Sequence, residues 1–135
     1  MREHMDSWEQ IARSAVAAAW REAASVTLYQ YSRHGRFLAV AECEGIVVAL
    51  GGGTDPAEAY RMLTAMVVRP EGPVMQTAEV AQALGATRQL VHDWLAKGKL
   101  PALVHGGRGR RQSLFAPSAV WQMIREHQKA AAWPA

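Results

Sequence analysis

Apolar positions recur at helical spacing near both ends of the chain, and short apolar runs lie between them. Ser7-Trp-Glu-Gln10 has the form of a capping box, in which a hydroxyl and a side chain three residues on satisfy each other's backbone donors. Behind it Trp8, Ile11, Ala12, Ala15, Val16, Ala19 and Trp20 fall on one face at a 3.6-residue period, which predicts an amphipathic helix. Three strand-like runs follow. Val26–Ser32 is rich in β-branched and aromatic residues and turns at His34-Gly35. Phe37–Cys43 is mostly apolar and turns at Gly45, and Ile46–Leu50 is closed by Gly51-Gly-Gly53. Asp55 then caps a helix with Pro56 at its first position, Glu58 three residues on, and an inner stripe of Tyr60, Leu63 and Val67. The order α-β-β-β-α predicts a small antiparallel sheet covered by helices on one face.

Two prolines and a glycine in Arg69-Pro-Glu-Gly-Pro73 break the pattern. This predicts one module over 1–69, a linker over 70–75 and a second module over 76–130. Past the break, Thr77 caps a helix that buries Val80 and Leu84 and stops at Gly85. Thr87 caps a second helix, which buries Val91, Trp94 and Leu95 at spacings of three and four. Lys97 and Lys99 sit where the helix dipole favours cations, and Pro101 prevents continuation. Ala102–His105 and Gln112–Phe115 read as the strands of a hairpin tipped by Gly106-Gly-Arg-Gly-Arg-Arg111. A last helix begins near Pro117-Ser118 with Val120, Trp121 and Ile124 inward, and Ala130–Ala135 carries no signal. The expected class is α+β, an N-terminal α-β-β-β-α module joined to a C-terminal pair of short helices and a basic hairpin.

Charge sharpens that division. Residues 1–70 carry seven arginines against eight carboxylates, whereas residues 71–135 carry eight Lys and Arg against four. A neutral half suits packing or oligomerisation, and a basic half suits a polyanion. Half the residues are hydrophobic, enough for a packed core. A single cysteine, Cys43, excludes an internal disulfide and suits a reducing compartment. With no apolar run of ~18 residues and an acidic start at Glu3 and Asp6, the expected location is cytoplasmic, with no membrane partner.

Catalytic chemistry finds little footing. Cys43 falls in a predicted strand without a recognisable histidine partner and reads as a small core thiol. His4, His34, His92, His105 and His127 show no metal-ligand spacing. Gly51-Gly-Gly53 lacks the Gly-Lys-Ser/Thr ending of a phosphate loop, and Asp55 would repel the anion, so a sheet-to-helix turn is expected there. The stripe of Trp8, Ile11, Ala15 and Trp20 reads as core or dimer seam. The expectation is no enzyme, no metal and no cofactor.

Several elements stand in register: Thr77-Ala-Glu-Val-Ala81, Leu84-Gly85, Thr87-Arg88, Val91, Trp94, Gly98-Lys-Leu-Pro-Ala102, Gly107-Arg-Gly-Arg-Arg111 and Ser118. Through them residues 74–125 resemble the excisionase-type winged helix-turn-helix family, a relative of the DNA-binding domains of MerR-type regulators. The resemblance implies that the helix opened by Thr87 is a recognition helix. With Val91, Trp94 and Leu95 inward, Gln89, His92, Asp93 and Ala96 face out, and Arg88 lies in the exposed first turn. Arg88 suits guanine O6 and N7, or a phosphate, and Gln89 suits adenine N6 and N7. A good bidentate contact is worth about 1–3 kcal/mol of discrimination. His92 reads as a polar contact or a solvated residue, and Asp93 as the i,i+4 partner of Lys97. Leu90 departs from the small polar residue usual in the family and reads as partly buried. Arg108, Arg110 and Arg111 would form the wing, on phosphates or in a narrow minor groove. Gln76 and Thr77, with free N–H groups opening the first helix, would hold a further phosphate. Thr87 and Lys97 complete the expected contact set.

Gly35-Arg-Phe-Leu-Ala-Val40 and Gly51-Gly-Gly-Thr-Asp-Pro-Ala-Glu-Ala59 resemble the HicB-like fold, although its Pro-Gly-Cys element is missing. That resemblance implies dimerisation and toxin binding by residues 1–69. The element order also matches double-stranded-RNA-binding domains, but those place lysines at the last helix, and residues 1–69 contain none. The expected function is a homodimeric, sequence-specific, double-stranded-DNA-binding transcriptional regulator of phage or mobile-element type. The alternatives are an excisionase-like architectural factor that steers a recombinase, and a HicB-like antitoxin with a toxin partner.

Overall fold

The computed structural model describes residues 2–21, 24–31, 35–106, 112–127 and 130–132. Helix α1 spans Arg2–Trp20, so Ser7 lies within it and not at its N-cap. No Gly or Pro precedes Ser7, and nothing there stops the helix from extending upstream. Its inner face is narrower than the sequence pattern predicts. Ala12 and Val16 are fully buried, whereas Ile11 is 45% exposed and Ala19 is exposed as well.

Strands β1 (Ala24–Tyr31), β2 (Arg36–Cys43) and β3 (Ile46–Gly53) pair antiparallel in sequence order. Helix α2, Pro56–Val67, follows as expected: the Asp55 carboxylate accepts the Glu58 N–H at 2.8 Å and Pro56 opens the first turn. Tyr60 and Leu63 are buried on its inner side, but Met66 is buried in place of Val67, which is half-buried at the last turn of the helix. A short fourth strand comes from the tail. Ala130–Ala132, β6 in chain order, pairs with Tyr29–Tyr31 and gives the order β3-β2-β1-β6. An alanine run has neither periodicity nor strong strand preference, and only the free edge of β1 makes it a strand.

The sheet is covered on both faces, not one. In β2 the consecutive residues Leu38, Ala39, Val40 and Ala41 are all 0% exposed, so side chains of both parities are buried. Helices α1 and α2 pack on one face; α3 (Thr77–Leu84) and α5 (Pro117–His127) pack on the other. The unbroken apolar run of Phe37–Cys43, without polar alternation, is the mark of a strand buried on two sides.

All three glycines of Gly51-Gly-Gly53 belong to β3 and are not merely its closing turn. Adjacent strand residues point to opposite faces, and both faces here meet helix backbone. A Cβ at Gly51 would stand 2.6 Å from the Ala59 carbonyl oxygen of α2. One at Gly52 would stand 2.7 Å from the Ala83 Cα of α3. These glycines let helices approach from both sides at once.

The remaining elements are β4 (Met75–Gln76), α4 (Arg88–Ala96) and β5 (Leu114–Phe115), with β4 and β5 paired antiparallel. Residues 70–75 form a short turn that ends in β4, where Met75 is fully buried. Arg69 pins that turn: its Nη1 donates to the Val74 carbonyl at 2.8 Å and its guanidinium pairs with Glu79 of α3. One continuous cluster of buried residues runs from Ala12 in α1 to Ile124 in α5. Among the described residues no helix is long and apolar enough to cross a membrane.

Candidate nucleic-acid interface

Helices α3 and α4 meet at a tight turn whose local chemistry is legible in the residues. Gly85 takes φ 64°, a left-handed conformation that glycine adopts without a Cβ penalty. Its N–H donates to the Gln82 carbonyl, and the Ala86 N–H donates to the Ala81 carbonyl at 2.9 Å, the paired bonds of a Schellman ending. Two residues on, the Thr87 hydroxyl accepts the Leu90 N–H at 3.1 Å and caps α4. Val91 and Trp94 anchor α4 in the core, with Leu90 and Leu95 half-buried.

The other face of α4 is open. Thr87, Arg88, Gln89, His92 and Lys97 are all exposed. Asp93 does not pair with Lys97. Its carboxylate accepts from Gln89 Nε2 at 3.2 Å, one turn upstream. Lys97 is the C-cap, and its backbone N–H still donates to the Asp93 carbonyl at 2.9 Å, while the Asp93 carboxylate turns to Gln89 on the helix.

The start of α3 also differs from expectation. Gln76 is the N-cap, and Thr77 is the first helical residue, only 8% exposed. Glu79 reaches back to accept the Gln76 N–H at 2.9 Å, so that donor is not free for an anion. The same carboxylate is neutralised by Arg69 from across the turn. Local capping preference favours Thr77, because threonine is the stronger capping residue. The glutamate three residues after Gln76 completes a box one position earlier.

The two strands predicted for the hairpin are present only as a narrow root. Leu103 N–H donates to the Leu114 carbonyl at 2.7 Å, and Leu114 N–H donates to the Val104 carbonyl at 2.9 Å. The Ser113 hydroxyl, buried, accepts the Gly106 N–H at 2.9 Å and holds the two sides together. Arg108, Arg110 and Arg111 lie outside the described residues.

These pieces enclose an open groove of about 360 Å³ between the N-terminus of α3, the outer face of α4 and the hairpin root. Gln76, Thr77, Arg88 and His92, all singled out from the sequence, line it together. Gln112 and Ser113 line it too and were missed; they carry no motif and enter only because the hairpin folds back. Gln89 on α4, and Thr87 and Lys97 at its two caps, do not line the groove. Among the groove's described lining residues the fixed charge is positive, from Arg88, and the rest offer hydrogen bonds or apolar contact. Such a lining suits an anionic, hydrogen-bonding ligand. No protein-family model, curated protein or solved structure matches the chain.

Proposed function

We propose that the chain is a sequence-specific double-stranded-DNA-binding protein that regulates transcription, with α3, α4 and the hairpin at 102–115 acting as a winged helix-turn-helix. The observation that carries this reading is the convergence of Gln76, Arg88 and His92 on one concave face beside the hairpin root. Gln89 is exposed on the same short helix. In this reading α4 enters the major groove, where Arg88 and Gln89 meet base edges. The loop bearing Arg108, Arg110 and Arg111 lies along the backbone or the minor groove.

One such helix pair covers too little DNA for tight binding alone, so the functional unit is a homodimer assembled through residues 1–69. The protein works in the cytoplasm, and the excisionase-type resemblance of residues 74–125 suits a regulator of phage or mobile-element type. Selection of bound fragments from a random DNA pool tests the reading. An inverted repeat supports a dimeric regulator, whereas cooperative loading on direct repeats moves the role to recombination architecture. Failure to enrich any sequence at low ionic strength overturns it, and copurification with a toxin would assign the antitoxin role instead.

Division of labour within the site gives a second test. Arg88→Ala is expected to lower the ratio of specific to non-specific affinity. Arg110→Ala is expected to weaken all duplexes alike and to shallow the salt slope by about one unit, the signature of one lost phosphate contact. Equal losses on cognate and random DNA for both variants would refute this assignment.

A further inference from the structure

Arg36 opens β2 on the face of the sheet that α3 and α5 cover, and it is only 8% exposed. Among the described residues it is the only charged side chain in the buried class. Its Nη2 donates to the Gln82 carbonyl in the last turn of α3. Its Nε is buried without an acceptor, and no carboxylate pairs with it among the described residues. The side chain lies against the turn between α3 and α4. A Cβ placed on Gly85 would sit 3.0 Å from Arg36 Cδ and 3.1 Å from Nε.

A buried guanidinium without a carboxylate and with an orphaned donor costs stability. The partial negative charge at the C-terminus of α3 offsets part of that cost. An apolar side chain of similar length would fill the same space with no such cost. The unfavourable group therefore sits where the sheet touches the turn that aims α4. Gln82 is held a second time, since its Nε2 donates to the Gly52 carbonyl of β3 at 2.9 Å. Apolar contact alone is non-directional and lets a short helix slide or roll on a sheet. Hydrogen bonds from Arg36 to Gln82 and from Gln82 to Gly52 fix its rotation.

We propose that Arg36 is a positioning residue: it locks the α3–α4 turn against the sheet and so sets the angle at which α4 meets DNA. This rests on the DNA-binding reading. Base readout needs donor and acceptor within hydrogen-bond geometry, so a loosened turn loses specific contacts before it loses phosphate contacts.

Arg36→Met and Arg36→Lys, made in the whole 135-residue chain, are compared with the unaltered chain in three measurements. These are thermal stability, amide exchange at Gly85 and Ala86, and the affinity ratio between a pool-selected duplex and a scrambled one. Arg36→Met is expected to melt no lower than the unaltered chain, to exchange faster at both amides, and to lose about tenfold of the affinity ratio, the worth of one base contact. Arg36→Lys, which keeps the charge and a donor, is expected to fall between. An unchanged ratio and unchanged exchange in Arg36→Met overturn the proposal, as does a lowered melting temperature with the ratio intact. Should Arg36→Met not fold, Arg36→Lys decides: a ratio equal to that of the unaltered chain overturns it. If the unaltered chain selects no duplex, the DNA reading has failed, and the exchange measurement still reads the lock by itself.

Discussion

Gly52→Ala tests the close approach of α3 to β3. The added methyl group would stand 2.7 Å from both the carbonyl carbon and the Cα of Ala83. The obstruction is helix backbone, which has no rotamer to yield. Either α3 lifts from the sheet, breaking the Gln82–Gly52 and Arg36–Gln82 bonds, or β3 deforms beneath it. Overpacking a core costs about 1–3 kcal/mol, and a backbone-to-backbone obstruction puts this variant near the upper end, about 3 kcal/mol. With an unfolding entropy of about 2.1 cal/mol/K per residue, that is a Tm loss of roughly 10 °C. Urea melts followed by tryptophan fluorescence measure it directly, with the m-value showing whether the transition stays two-state. Gly51→Ala is the matched control. It meets α2 instead, with the Leu63 Cα at 2.7 Å, and should cost a similar amount. Only Gly52→Ala should also lower the ratio of specific to non-specific DNA affinity. A Gly52→Ala variant within about 0.5 kcal/mol of the unaltered chain, the range of ordinary surface changes, would refute the packing argument.

Two further outcomes follow from burial. Residues 76–130 alone would lose the sheet against which α3 and α5 pack, and should show no cooperative transition; a sharply melting fragment would refute the shared core. Burial, reinforced by the charge of Glu9 and partly offset by Arg13, raises the pKa of the Tyr60 hydroxyl above its usual 10.0. Tyr29 is raised in the same sense by burial and Glu42, against Arg125. A phenol whose folded pKa is raised stabilises fully below its unfolded pKa and loses that stability as pH rises through the folded one. The chain should therefore weaken above about pH 10, where the unfolded tyrosines ionise first. The double variant Tyr29→Phe, Tyr60→Phe should flatten that alkaline slope in denaturant melts, and an undiminished slope would rule these two tyrosines out.

Much of the candidate site was legible locally. Thr87 as cap, Gly85 as helix stop, Val91 and Trp94 as anchors, and Arg88 and His92 on the open face all follow from the 3.6-residue period and from capping chemistry. Each acts within one or two turns. Gln112 and Ser113 were not legible, because the hairpin brings them to α4 across more than fifteen positions of chain. The pairing of Asp93 with Gln89 instead of Lys97 was not legible either, because both partners stand one turn from Asp93 and the period favours neither.

The residues by themselves determined the helices α1 to α5 of the described residues, the three central strands and the glycine and threonine signals at their ends, since backbone preference and apolar period act over short range. Tertiary structure alone decided that α3 and α5 close the second face of the sheet, and that a tail of alanines extends it. It also decided that Gly51 and Gly52 serve helices on opposite sides, and that Arg36 lies under the turn leading to α4. Those outcomes depend on which apolar surfaces meet once the chain has collapsed, and surfaces distant in sequence find one another by shape and area, which no local pattern encodes.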